Sequence, residues 1–168
     1  MHSERTEHGS PKTSTSARPR SRTRLTSSRE NQTVLGTAKF ITLEAAKKMA
    51  AAGEAEARKN GWNVAIAIVD AGGGLILFQK LDETQPGSIA VSQGKARTSA
   101  LFKRPTKAME DAIAAGKQAF LAIDGVVPIQ GGLPIVVDDK VIGAVGVSGV
   151  TSPQDEQVAL AALGALNA

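Results

Sequence analysis

The stretch GGLPIVVDDKVIGAVGVSG, Gly131–Gly149, decides the fold. Two apolar runs, Leu133–Val137 and Val141–Val147, flank the pair Asp138-Asp139. Val and Ile dominate both runs, and β-branched side chains suit a pleated, half-buried surface. Split by Asp-Asp-Lys, the runs predict an antiparallel hairpin. Glycines at 143, 146 and 149 remove side chains where another segment approaches or the strand bends. Ser152-Pro153-Gln154-Asp155 follows directly and predicts a helix. Ser152 is its expected N-cap, with Pro153 at the first helical position and Asp155 at the third.

Outward from this unit, NVAIAIVD (Asn63–Asp70) reads as a central strand. Leu75–Leu81 reads as its partner across Ala71-Gly72-Gly73-Gly74. A glycine-rich turn cradles phosphate only when a helix follows it, and here a strand follows, so this is no P-loop. A helix is expected from the N-cap Thr42 to Lys59, stopped by Asn60-Gly61, with Leu43, Ala46, Ala50 and Ala57 on one face. Another covers Ile89–Phe102. After Arg104-Pro105, one or two shorter helices fill Thr106–Ala122, broken near Gly116-Lys117. Asp124–Gln130 reads as a loop in which Pro128 would be tolerated only on an edge strand. The last helix spans Pro153–Leu166, with Val158, Leu160, Ala161 and Leu163 apolar. Together these give an α/β (α+β) domain over residues 40–168, its mainly antiparallel sheet flanked by helices.

Composition narrows the chemistry. The chain of 168 residues has no Cys and no Tyr, and its two His, His2 and His8, lie at the extreme N-terminus. That excludes disulfides, thiolate metal sites and His-based triads in the folded part. Residues 1–39 carry eight Lys/Arg against three Asp/Glu, whereas residues 40–168 carry twelve against thirteen. The pI of 9.6 therefore belongs to the tail. This Ser/Thr/Arg-rich stretch is expected to be disordered up to about residue 30, because it has too little apolar surface to offset its ordering entropy. Its ARPRSRTR segment has the charge to touch nucleic acid or anionic lipid, but a solvated extension or an over-extended start is the preferred reading. No nucleic-acid partner, secretory leader or membrane span is expected, and a cytoplasmic location follows.

Three ordered segments resemble the GlcG/HbpS family, which includes the C-terminal domain of PduO-type proteins. They are VDAGGGLILFQKLD (Val69–Asp82), GKARTSALF (Gly94–Phe102) and GGLPI through IGAVGVSG to Asp155. The resemblance covers roughly residues 40 to 167. It implies a profilin-like domain, assembly into homo-oligomers and, as in several members, association with haem or corrinoid. Lys95 and Thr98 occupy the family's Lys-Ala-x-Thr positions.

The polar candidates for chemistry are Asp70, Lys95, Arg97, Thr98, Ser148 and Asp155. Two readings stand side by side, with a plainer third, an oligomeric accessory protein without catalysis. In the first, the chain is an oligomeric small-ligand-binding protein taking haem, a related tetrapyrrole or a small anion. The ligand then sits in a cleft formed by the Lys95/Thr98 helix face, Gly131, Gly132, and the strand end at Ser148 and Gly149. Glycines admit a ligand to backbone amides, Lys95 supplies charge and Thr98 a hydroxyl. Haem iron commonly takes an axial His, Cys, Met or Tyr. Residues 40–168 offer only Met49 and Met109, both at core-like helical positions, so an oxygen ligand such as Thr98 or non-axial binding is required. In the second reading, Asp70 and Lys95 are the catalytic pair of an enzyme acting on a small carboxylate or carbonyl compound, the lysine keeping the carboxylate ionised as a base. Plainer roles are a turn cap for Asp70 and a helix-dipole partner for Asp155.

Overall fold

A computed structural model of the chain describes residues 36–166, and the N-terminal stretch expected to be disordered lies outside them. The elements in order are α1 (Leu43–Lys59), β1 (Ala65–Asp70), β2 (Leu75–Lys80), α2 (Ser88–Phe102) and α3 (Thr106–Ala114). A 3-10 turn (Gln118–Ala122), β3 (Gly132–Val137), β4 (Lys140–Ser148) and α4 (Ser152–Gly164) complete them. The four strands form one sheet in the order β2-β1-β4-β3, and every neighbouring pair is antiparallel.

The hairpin that anchors the sequence reading is present. β3 and β4 are joined by Asp138 and Asp139, at φ 49 and 58. Two successive left-handed residues match the twist of the strands, although neither is glycine. β3 is an edge strand and accommodates Pro134, which a central strand would not. The segment Asp124–Gln130 is loop, as read from the sequence, and Pro128 lies in no strand.

Alternation along β1 divides the core into two layers. Ile66 and Ile68 pack with Met49, Ala50, Val145, Val147 and Val158 beneath α1 and α4. Ala67 and Val69 face the other way, toward Ala96 and Ala100 of α2. This second layer is built from small residues, so α2 lies almost on the sheet. A Cβ on Gly146 would overlap the backbone of Ser92 and Ala96.

Three local expectations need correction. The N-cap of α4 is Thr151, whose backbone N–H donates to Gln154 Oε1 at 3.2 Å. The shift is possible because Pro153 fits the second helical position as well as the first: neither N–H has an intrahelical acceptor. Asp155 thereby moves to the fourth position and turns inward, 2% exposed. Leu160 is exposed, because α4 buries Asp155, Val158, Ala159 and Ala162 along the opposite stripe. Leu43 is exposed as well, while Ala46, Ala50 and Ala57 of its expected face are buried.

Candidate functional site

Two places can be built from the residues upward. The first centres on Lys95. Its side chain leaves α2, runs along the sheet and ends 1% exposed. Nζ donates to Asp155 Oδ2 at 2.7 Å and to the Val147 carbonyl oxygen at 2.9 Å. Local geometry explains both contacts. The Val147 N–H donates to Gly131 O as the β3 side of the sheet ends, and Gly131, at φ 117, turns the chain away. The ammonium meets the neighbouring Val147 carbonyl there. A Cβ on Gly131 would lie 2.9 Å from Asp155 Cβ and 3.0 Å from Lys95 Nζ. Asp155 Oδ1 also accepts the Val150 N–H at 3.2 Å. Burial pushes the Asp155 carboxyl above the ordinary aspartate range, and the Lys95 ammonium and the Val150 and Gly149 amides act against that rise. The result is a buried ion pair tying α2 to α4 at the end of the sheet.

The other sequence candidates are also committed within the chain. Thr98 Oγ1 accepts the Val127 N–H at 2.9 Å. The Gly132 N–H donates to Thr106 Oγ1 at 2.9 Å, and the Gly132 Cα lies against the Lys95 carbonyl. Ser148 Oγ lies 3.4 Å from Ser88 Oγ, and Gly149 packs on Asn63 and Val64. Arg97 is exposed. Lys95 and Gly131 are thus brought together, with Asp155, a polar candidate whose plainer role was a helix-dipole partner, as the counter-charge. A lysine and an aspartate 60 positions apart carry no local signal of pairing. Asp70 is not brought to Lys95. Its Oδ1 accepts the Gly72 and Gly74 N–H groups at 2.8 Å each, capping the β1–β2 turn. Asp70 stands opposite Gly143 and Ile66 opposite Val147, so four strand residues, about 13 Å, separate the two ends.

The second place is an apolar groove of about 380 Å³ on the α1/α4 side, walled by Phe40, Ile41, Val137, Ile142 and Leu166 with Lys39 at its rim. Phe40 is 75% exposed. Lys39 Nζ lies 2.8 Å from Asp138 Oδ2, with both side chains largely in solvent. Such a pair contributes little, so the ammonium is free to turn toward another anion.

Metal-binding capacity is narrow. Among the described residues no three His, Cys, Asp or Glu side chains converge. Met49 and Met109 are buried at 0% and 1%, and Thr98 is occupied. These donors do not fit axial ligation of a haem iron; the groove is apolar, with one lysine at its rim. No helix among the described residues is long and apolar enough to cross a membrane.

Comparison with known proteins agrees with this architecture. Residues 41–164 match the family model described as haem degrading protein HbpS-like. The protein GlcG of Escherichia coli strain K12 is 44% identical over 109 residues, 65% of this chain and 81% of GlcG. The crystal structure of Klebsiella pneumoniae protein ORFY superposes with a TM-score of 0.76 at 36% identity, over 80% of this chain and 95% of that one. That of a PduOC:haem complex superposes at 0.71 with 25% identity, over 77% and 96%. With its antiparallel sheet, its ordered motifs and a match over nearly the whole described domain, the chain belongs to the HbpS-like family.

Proposed function

We propose that this protein is an oligomeric accessory protein that binds haem or a related tetrapyrrole by its ring and carboxylates, without an axial side chain from the domain. The observation that carries this reading is the groove beside Phe40. Its walls are apolar, its rim holds one lysine and its volume of about 380 Å³ lies in the range of small-molecule sites. The haem degrading description of the family and the haem complex of a structural neighbour support the ligand class. The groove covers one edge of a flat ring, and a second subunit closes over the other. Lys39 then leaves Asp138 and pairs with a propionate. A role in storage, sensing or delivery follows more readily than turnover, because Lys95 and Asp70 are each held by partners of their own.

Titration of the full chain with hemin and with metal-free protoporphyrin tests this. Both should bind, with affinities within about threefold of each other, because no iron–side chain bond distinguishes them. Phe40→Ser and Lys39→Glu should each weaken both. Failure of either porphyrin to bind would refute the reading. So would hemin binding more than about tenfold tighter than the free porphyrin, because that requires an iron ligand.

A further inference from the structure

A second cavity, of about 250 Å³, opens where α1 ends and the chain leaves β2. Arg58, Gly61, Trp62, Asn63, Leu81 and Asp82 line it, and it shares no residue with the groove beside Phe40. The path of the chain creates it. Gly61, at φ 69, turns the backbone off α1, and the Trp62 N–H donates back to the Ala57 carbonyl at 2.9 Å. The indole is thereby laid half-buried against the core that contains Leu81. On the other wall, the Leu81 N–H donates to the Val64 carbonyl at 3.0 Å, which fixes where Asp82 departs from the sheet. The outcome is an apolar floor beneath a polar rim.

That rim carries two opposite charges that do not neutralise each other: Arg58 and Asp82 line the same cavity without forming an ion pair. Arg58 is held from one side only. Its Nε donates to Glu54 Oε1 at 2.6 Å, and Gln79 of β2 holds the other oxygen of Glu54. The two terminal nitrogens of the guanidinium make no hydrogen bond among the described residues. Asp82 accepts none there either. Lys80, two positions away, turns its ammonium to the Leu81 carbonyl at 3.4 Å, and Lys59 lies 3.8 Å from Glu56. We propose that this cavity binds a free α-amino acid with an apolar side chain. Its carboxylate would pair with the guanidinium fork, its ammonium with Asp82, and its side chain would lie on Trp62 and Leu81.

Three features favour this ligand class. A zwitterion satisfies both rim charges at once, whereas a simple acid or amine leaves one of them unmatched. The volume of about 250 Å³ falls just below the range of about 300–1,000 Å³ for drug-sized ligands, which suits one amino acid rather than a nucleotide. Finally, the cavity lies at the C-terminal end of α1, whose partial negative charge favours an ammonium. The grip of Gln79 and Glu54 on Arg58 pre-organises the fork and lowers the ordering cost of binding. Because the two cavities have no wall in common, this site stands or falls independently of porphyrin binding.

Equilibrium dialysis of the full chain with labelled L-leucine tests the proposal. Emission of Trp62, the one tryptophan in the sequence, is followed in parallel and should shift as the site fills. Leucine should bind saturably. Isoamylamine, which lacks the carboxylate, and isocaproate, which lacks the amine, should each bind at least about tenfold more weakly, because each forfeits a charged hydrogen bond. Two variants assign the ends. Asp82→Asn should abolish the preference for leucine over isocaproate, and Arg58→Gln should abolish the preference over isoamylamine. Both residues are exposed, so the fold should survive; Asp82→Glu and Arg58→Lys, which keep the charges, should restore part of each preference. No saturable binding up to about 10 mM leucine would overturn the site. So would leucine binding no tighter than either analogue, or preferences that neither variant changes.

Discussion

Replacing Lys95 by Met removes the ammonium while keeping most of the apolar stem. In the parent, that ammonium is 1% exposed and contacts Asp155 at 2.7 Å and the Val147 carbonyl at 2.9 Å. The variant leaves Asp155 buried without its counter-charge and one carbonyl without its donor. Breaking a buried pair by removing one partner costs about 3–5 kcal/mol, and the orphaned carbonyl accounts for roughly 1–3 kcal/mol of that. Set against a total stability of about 5–15 kcal/mol for a domain, the loss is large but survivable. Its pH dependence is diagnostic. The folded-state pKa of Asp155 already lies above the ordinary aspartate value because of burial, so the folded protein binds this proton more tightly than the unfolded chain. Stability from this group is fully present below the unfolded pKa and is lost as pH rises through the folded pKa. Removing Lys95 takes away a lowering influence and raises the folded pKa further. The penalty of Lys95→Met should therefore be greatest at pH 7 and shrink on acidification, because a neutral Asp155 needs no counter-charge. Urea unfolding of parent and variant at pH 7 and at about pH 4.5 measures this, with ΔΔG taken at constant m. A ΔΔG below about 1 kcal/mol at pH 7 would refute the assignment of a buried pair. So would a penalty that does not fall at the lower pH.

Gly131→Ala should destabilise by more than about 2 kcal/mol, combining left-handed strain with displacement of the Lys95–Asp155 pair; thermal unfolding reads the loss. Asp139→Gly should stabilise by roughly 0.5–1 kcal/mol, because relief of left-handed strain at φ 58, about 1–2 kcal/mol, exceeds the added unfolded-chain entropy of glycine, about 0.4–1 kcal/mol; an unchanged or lower urea midpoint would show the aspartate to be better fitted than its backbone angle suggests. Asp70→Ala should cost about 1 kcal/mol by uncapping the β1–β2 turn, and porphyrin affinity should remain unchanged in the same titration. Deleting residues 2–35 should leave the melting temperature and the mass by light scattering unaltered, and a loss of folding would assign the tail a packing role.

The hairpin, the strand pair Asn63–Leu81 and the helices were legible in the sequence because their signals are local. Alternating Val and Ile, the Asp138-Asp139 turn, the Thr42 cap and the Asn60-Gly61 stop each act within a few residues, and each is found at or near its expected place. The family was legible too, because its motifs are contiguous stretches. Within the elements, the errors lay in the cap of α4 and in which residues the helices bury, such as exposed Leu43. Thr151 and Ser152 both cap helices, and Pro153 tolerates either register.

Tertiary structure alone decided what the candidate residues do. Lys95 and Asp155 meet across 60 residues, Thr98 and Val127 across 29 and Gly132 and Thr106 across 26. No periodicity or propensity encodes such pairings, because they depend on how α2 settles on a sheet face of Ala and Gly. That close approach consumes the space the glycines appeared to leave for a ligand: backbone and side chains of the chain itself fill it. The groove beside Phe40 was equally invisible, since its walls come from the approach to α1, both strands of the hairpin and the end of α4, which become neighbours only once the layers have packed.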